Sequence, residues 1–425
     1  MSTFNWRYYF DTFFLFLLIF GPKIPGSNFD TLSVVCLISI ILHYKYLGRV
    51  IYAWDFWMTY ICSTYILLIL WIWINPDFWH MPKAIRILIN YLGVFVFTLH
   101  ALTQYGKHRT APILRMLHNA LTLHAVVVVM MVVSPTFKAF IEGIAGKQTR
   151  STWQIKGLTG GLGTPMIVIA FPFVTYALFS LHTGYKERLI TIKLVLISMC
   201  TVFMGRMGFY MNIGTAFLVM SLAAIRLKGL PIFGKSILFI AIVGGLALNI
   251  GLGNMDDSLA EIPIANDYIV VAFKHSMELF VNTWRDRKIE TKSTTNLLSS
   301  AHRGAIVYHN EGVLQMLFGT SLYGRGNPFT YLPTDIAYLH MFSAFGIIGI
   351  LLFLMAYTIP IFQNLNMRHT PLYWASFILI MMVIFANFKE TVLFTRNVYS
   401  VHVFILTWLF YERRRNRRGG SLLFP

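Results

Sequence analysis

Long apolar stretches separated by short polar gaps run through almost the whole chain. A helix needs about 20 apolar residues to cross a hydrocarbon core of about 30 Å, and stretches of roughly this length recur from end to end. The pattern predicts an all-α polytopic membrane protein with about twelve transmembrane helices. The predicted spans are residues 8–22, 29–44, 53–75, 84–104, 112–134, 164–182, 188–204, 210–225, 234–252, 334–358, 371–388 and 398–411.

A long gap over residues 253–333 predicts the main structure outside the membrane. It carries a large share of the acidic residues, and we expect it to be partly helical. One amphipathic helix is predicted from Asp267 to Trp284 and another from about Ala301 to Phe318. The chain is therefore expected to divide into helices 1–9 in residues 1–252, a large loop in 253–333, helices 10–12 in 334–411 and a basic tail in 412–425.

A second long gap covers residues 135–163. It contains the glycine-rich run from Gly157 to Gly163, which predicts a flexible or re-entrant connection. No strand precedes this run and no Gly-Lys-Ser/Thr follows it, so it does not fit a nucleotide-binding loop.

Composition supports a lipid environment. Of the 425 residues, 56% are hydrophobic and 12% are charged, whereas soluble proteins carry about 25% charged residues. With so few charged residues, the chain has too little polar surface to cover a folded protein in water. The three cysteines lie inside apolar runs, which argues against a disulfide framework and against metal-ligand spacing.

Charge sets the expected orientation. The net charge of +18 comes from 35 Lys and Arg against 17 Asp and Glu, and most of the bases lie in short gaps between apolar runs. This placement fits the positive-inside rule better than a nucleic-acid surface. It predicts that both termini are cytoplasmic and that the two long gaps face outward.

Two arginines on the predicted outer side break that charge rule. Arg206 lies in a short turn between two spans, and Arg303 lies in the large loop. A guanidinium offers a planar fork of donors that suits a lipid-linked diphosphate. The alternative is that Arg206 snorkels or binds ordinary lipid phosphates.

The order of several motifs resembles one family. Gly205-Arg206-Met-Gly208 looks like the arginine turn of the O-antigen polymerase and O-antigen ligase superfamily. Ser299-Ser-Ala-His-Arg303, Leu317-Phe-Gly319 and Gly324-Arg-Gly326 are similar to that family's outer-loop arginine, helix and glycine-rich turn. Thr334-Asp-Ile-Ala-Tyr-Leu339, leading into Phe345-Gly-Ile-Ile-Gly349, is similar to its re-entry into the membrane.

The resemblance implies a glycosyltransferase in the bacterial inner membrane with its active site facing the periplasm. Its substrates would be oligosaccharides carried on polyprenyl (undecaprenyl) diphosphate, and Arg206 and Arg303 would bind the donor diphosphate. The reaction would invert the anomeric configuration and would need no cofactor and no metal. Membrane lipids are further expected partners. A chain-length regulator and a flippase are candidate protein partners, and no nucleic-acid partner is expected.

One position favours polymerase over ligase. Ligases of this superfamily typically carry a histidine where this chain has Thr334-Asp335, and the nearby His340 would face elsewhere on the helical period. Asp335 is therefore a candidate base for a sugar hydroxyl, although it also fits the cap of the following helix. Glu311 is a second catalytic candidate, because it follows Arg303 by eight residues and lies near the same helical face. Glu261 and Glu390 stay open as bases.

Weaker contacts to glycan or diphosphate are expected from Arg325, Tyr338, Arg396 and His340. Tyr338 also fits an aromatic belt at the membrane edge, and Arg396 also fits a salt-bridged turn with Lys389-Glu390. Two rival functions stay open. One is the ligase, which transfers polymer to a lipid A core, and the other is a transporter or flippase. The predicted spans have few central charges, which argues against transport.

Overall fold

A computed structural model gives the fold of this chain. It describes residues 5–21, 31–72, 80–106, 110–145, 155, 157–158, 164, 166–183, 185, 189–204, 214, 312–319, 337–387 and 392–417. These residues are mainly helical, and no strand occurs among them. The predicted all-α class is therefore confirmed for this part of the chain.

The helices run in the following order. They are α1 (Trp6–Phe20), α2 (Thr31–Leu42), a 3₁₀ segment (Tyr44–Tyr52), α3 (Trp54–Ile72), α4 (His80–Tyr105), α5 (Ala111–Val133), α6 (Pro135–Ala145), a π-helical turn (Met166–Ala170), α7 (Phe171–Thr183), α8 (Ile190–Phe203), α9 (Val313–Phe318), α10 (Ala337–Gln363), a 3₁₀ turn (Leu365–Met367), α11 (Pro371–Ala386) and α12 (Arg396–Arg417).

Some of these helices are long and apolar enough to cross a membrane. Three qualify by length and composition, over Ala84–Tyr105, Ala111–Val133 and His340–Gln363. Thr31–Leu42 and Tyr44–Tyr52 qualify only as a pair, and they are bent by 98°. The length and apolar composition of these helices are those of a membrane protein. The predicted span 234–252 and the helix predicted at Asp267–Trp284 lie outside the described residues, and so does the predicted span 210–225 apart from Gly214.

The described helices form two compact units, one of α1–α4 with α9–α12 and one built from α5–α8. In the first unit, α4 packs against α2, α3 and α12. Small residues permit the close approach of α2 and α4, as is common between membrane helices. A Cβ on Gly93 would lie 2.5 Å from the Cβ of Cys36, and the Ser39 hydroxyl donates to the Gly93 carbonyl at 2.7 Å.

Local sequence explains several helix starts. The Asn5 side chain accepts from the Tyr8 amide at 3.2 Å at the beginning of α1. At α11, the Thr370 hydroxyl accepts from the Tyr373 amide at 3.3 Å, and Pro371 occupies the first helical position. Both are the usual ways of starting a helix, since they satisfy or remove unpaired amide groups.

The second unit contains part of the glycine-rich run. Gly157 and Leu158 are buried, and the Leu158 amide donates to His124 Nε2 of α5 at 3.2 Å. Gly157 has φ +64, and a Cβ there would lie 2.4 Å from His124 Cε1. At these two positions the segment is packed on α5. Residues 159–163 of the run lie outside the described part of the chain.

Candidate functional site

The first unit has a broken helix at the place where the sequence shows Phe345-Gly-Ile-Ile-Gly349. Within α10, Gly346 has φ 63 and ψ −174, so the chain is helical on both sides of it but not at it. This backbone region is essentially restricted to glycine. The break therefore depends on the residue type at position 346.

The short helix α9 ends on that break. It is followed by Gly319, whose φ is 75 and ψ −174. A Cβ on Gly319 would lie 2.4 Å from the Ala344 carbonyl oxygen, and a Cβ on Gly346 would lie 2.3 Å from the Leu317 carbonyl oxygen. The backbones of two separate glycine motifs are thus in direct contact, with no room for a side chain on either.

Helix α3 covers the break from another side. The Tyr65 hydroxyl donates to the Phe345 carbonyl at 2.7 Å. The carbonyl that directly precedes the break thus accepts from another helix, and such a hydrogen bond typically contributes about 0.5–1.5 kcal/mol. Tyr65 therefore ties α3 to α10 at the break.

Asn387 organises the chain where α11 ends. Its Oδ1 accepts from the amides of Val392 at 2.8 Å and Leu393 at 3.3 Å. Its Nδ2 donates to Met341 Sδ of α10 at 3.1 Å. One fully buried amide side chain thus ties α11, the following turn and the first part of α10 together.

The turn before α12 contains a strained residue. Phe394 has φ 58, which is a genuine outlier for a bulky side chain. Its amide donates to the Tyr357 hydroxyl at 3.1 Å, and its ring packs on those of Phe353 and Tyr399, with centroids 5.3 Å and 5.1 Å away. Such strain costs about 1–3 kcal/mol and persists only where the surroundings impose it.

Arg396 begins α12 two residues after this turn. The ring of Phe394 in this turn packs on Phe353 and Tyr357 of α10, so Arg396 follows a turn that is fixed on that helix. Arg396 is partly buried. A cation at a helix N-terminus opposes the helix dipole, which favours anions there. An arginine in this place is suited to an anion that both the guanidinium and the helix end attract.

Two other predicted contacts fall in the first part of α10. The Tyr338 hydroxyl donates to the Ile384 carbonyl at 3.0 Å, so Tyr338 joins α10 to the end of α11. His340 is partly exposed one residue before Met341. The remaining predicted site residues, Asp335, Glu311, Arg206, Arg303 and Arg325, lie outside the described residues.

Buried carboxylates are the features that sequence reasoning missed. The Tyr91 hydroxyl donates to Asp55 Oδ2 at 2.7 Å, and both residues are buried. Asp55 lies in the first turn of α3 and Tyr91 lies on α4, so this hydrogen bond joins the two helices. The sequence placed Asp55 at the edge of the span 53–75 and could not indicate its partner, because which residues meet depends on how neighbouring helices pack.

A second buried carboxylate lies on α1. Asp11 Oδ2 accepts from the Tyr105 hydroxyl at 2.7 Å and lies 3.8 Å from His100 Nε2. The ring of His43 stacks on that of His100, with centroids 4.2 Å apart. An Asp inside an apolar run was the available sequence signal for both sites, since ionisable groups in membrane helices are rarely there without a role.

The comparisons with known proteins are negative. No protein-family model matches the chain, and no curated protein matches it.

Proposed function

We propose that this protein is a polymerase of O-antigen type in the bacterial inner membrane. It moves a growing glycan from polyprenyl diphosphate onto a second lipid-linked repeat unit at the periplasmic face. The observation that carries the proposal is the backbone contact of Gly319 with the break at Gly346. The two motifs in contact, Leu317-Phe-Gly319 and Phe345-Gly-Ile-Ile-Gly349, are among those that resemble the polymerase and ligase superfamily.

The reaction needs only a few groups. A hydroxyl of the acceptor sugar attacks the anomeric carbon of the donor, and the bond from that carbon to the diphosphate oxygen breaks with its electron pair leaving on the diphosphate. The hydroxyl proton passes to a carboxylate, for which Asp335 and Glu311 are the candidates. A single displacement of this kind inverts the anomeric configuration.

Cations stabilise the leaving diphosphate in this proposal. Arg206 and Arg303 bind it, and their charge-assisted hydrogen bonds are each worth about 1.5–3 kcal/mol. Arg396 is a further candidate, because it is partly buried at the start of α12. Arg325, Tyr338 and His340 are assigned to weaker contacts with glycan or diphosphate.

Complementation of a deletion strain tests the function. Surface polysaccharide is separated on a gel, with membrane insertion of each protein checked, for wild type, Arg206→Ala and Arg303→Ala. A deletion that leaves a lipid A core with a single repeat unit, and two well-inserted variants that fail to restore longer chains, support the polymerase. A bare core with accumulated lipid-linked polymer identifies the ligase instead.

A transporter or flippase is the second candidate, and one observation favours it. Asp55 and Asp11 are buried among the helices of the first unit and bonded to tyrosine hydroxyls, as ionisable groups on transport pathways often are. If deletion changes neither polymer nor core, the polymerase proposal is wrong. Transport would then be tested with Asp55→Asn, which keeps the side-chain volume but removes the charge.

Arg396 has a test of its own. We expect Arg396→Ala to shorten or abolish the polysaccharide ladder, and Arg396→Lys to restore it only in part because a point charge replaces a fork of donors. Arg368→Ala is the matched control, since Arg368 is an exposed arginine in the turn before α11. A normal ladder from Arg396→Ala would remove this residue from the site.

A further inference from the structure

The 3₁₀ segment Tyr44–Tyr52 has the form of a helix that lies along a membrane surface. It follows α2 with a bend of 98°, so it runs across the direction in which α2 points. Tyr46 and Val50 are buried against the protein, whereas Leu47 and Ile51 are exposed. Two cations, Lys45 and Arg49, are also exposed on it. Apolar and basic side chains on one short helix are typical of the interface between lipid tails and headgroups.

Exposed aromatic residues lie in and next to the 3₁₀ segment. Tyr44, Tyr52, Trp54 and Trp57 all have exposed side chains. The Trp57 indole nitrogen donates to the Ile51 carbonyl at 2.9 Å, so its ring is held beside the segment. Exposed tyrosine and tryptophan side chains concentrate where tails meet headgroups, which places the segment at the depth of lipid phosphates.

Three cations are held at this surface by aromatic rings. Lys45 Nζ and Arg49 Cζ lie 5.1 Å and 5.4 Å from the ring centroid of Tyr46. Arg414 Cζ of α12 lies 4.5 Å from the ring centroid of Tyr52. These distances are within the range of cation–π attraction, which orders long side chains before any ligand arrives.

The end of α12 and the 3₁₀ segment belong to one surface. Arg414, near the end of α12, lies over the ring of Tyr52, the last residue of the segment. The arginines on either side of Arg414 anchor the helix end, because Arg413 donates to the Gln363 carbonyl at 3.2 Å and Arg415 to the Gly106 carbonyl at 3.4 Å. Arg414 therefore occupies a fixed position next to Tyr52.

We propose that Lys45, Arg49 and Arg414 bind the headgroup of an anionic phospholipid, in the leaflet that borders the 3₁₀ segment. Charge complementarity selects this ligand, because three cations at headgroup depth match a phosphate diester and attract zwitterionic lipids less. Basic pockets between membrane helices bind such headgroups in the same way. The site is separate from the one proposed for the polymerase and does not depend on it.

Native mass spectrometry of the full-length protein in detergent tests the site. Cardiolipin is titrated against phosphatidylcholine, and the lipid concentration for half occupancy is measured for wild type and for Lys45→Ala/Arg49→Ala. Each cation near a lipid phosphate contributes about five-fold to binding, so we expect about a thirty-fold weaker affinity for cardiolipin in the double variant. Lys45→Arg/Arg49→Lys should bind as wild type does.

The control removes the same charge elsewhere. Arg115→Ala/Arg368→Ala also loses two exposed arginines and should retain wild-type affinity. An equal loss in both double variants would mean general attraction to a basic surface, and the site would be wrong. Displacement of cardiolipin by an equal concentration of inorganic phosphate would also overturn the proposal, because the site would then take a free anion rather than a lipid.

Discussion

Gly319 and Gly346 touch through their backbones. A Cβ on Gly346 would lie 2.6 Å from the Gly319 amide nitrogen, a distance that real Cβ contacts do not reach. The contact fixes the end of α9 on the break in α10 and brings together two motifs that are 27 residues apart in the sequence.

We expect Gly346→Ala to destabilise the protein strongly. The new methyl group meets the α9 backbone, and the backbone conformation at position 346 adds about 1–3 kcal/mol of strain for any other residue. Thermal unfolding in detergent measures the effect. Gly143→Ala is the matched control, because a Cβ on Gly143 meets nothing within 4 Å and alanine favours a helix. Equal unfolding temperatures for the two variants would mean that the contact at Gly346 is absent.

The Tyr357 hydroxyl is expected to hold the strained turn before α12. Tyr357→Phe removes the acceptor of the Phe394 amide, and an unpaired buried amide costs about 1–3 kcal/mol. The unfolding temperature should fall, and the polysaccharide ladder should shorten if the turn positions Arg396. Tyr60→Phe, at an exposed tyrosine on α3, should change neither. If Tyr357→Phe changes neither the unfolding temperature nor the ladder, the turn does not depend on the Tyr357 hydroxyl.

The Asp55 and Tyr91 pair offers a double-mutant cycle. Tyr91→Phe leaves the buried carboxylate without its hydroxyl donor, and a hydrogen bond to a charged group is worth about 1.5–3 kcal/mol. Asp55→Asn should cost less, because an amide oxygen still accepts from Tyr91. We expect the double variant to lose less stability than the sum of the two single losses. Additive losses in urea or thermal unfolding would mean that the two groups do not interact.

Gly157 and His124 give a test within the second unit. Gly157→Ala places a methyl group against the imidazole, 2.4 Å from Cε1, and should lower the unfolding temperature. His124→Ala in the same chain removes the clash, although the left-handed backbone still costs about 1–2 kcal/mol for alanine. The double variant should therefore unfold at a higher temperature than additivity predicts. If the losses simply add, Gly157 does not pack on His124.

The sequence by itself determined the class of the protein. Apolar stretches of spanning length and a low charge density are properties of local composition, so the all-α membrane prediction could be read from them without any knowledge of contacts. The spans predicted at 334–358 and 371–388 overlap His340–Gln363, which is long enough to cross a membrane, and Pro371–Ala386, which is a shorter apolar helix. Function and orientation stay predictions at this level.

Only the tertiary structure decided which residues meet. Tyr65 bonds to Phe345 across 280 residues, and Thr59 to Tyr399 across 340, and no periodicity encodes pairings over such distances. The contact of Asp55 with Tyr91 and that of the turn at Phe394 with Tyr357 likewise depend on how helices pack against one another. Apolar surfaces attract without direction, so the sequence marks the helices, whereas close packing and a few buried hydrogen bonds select their arrangement.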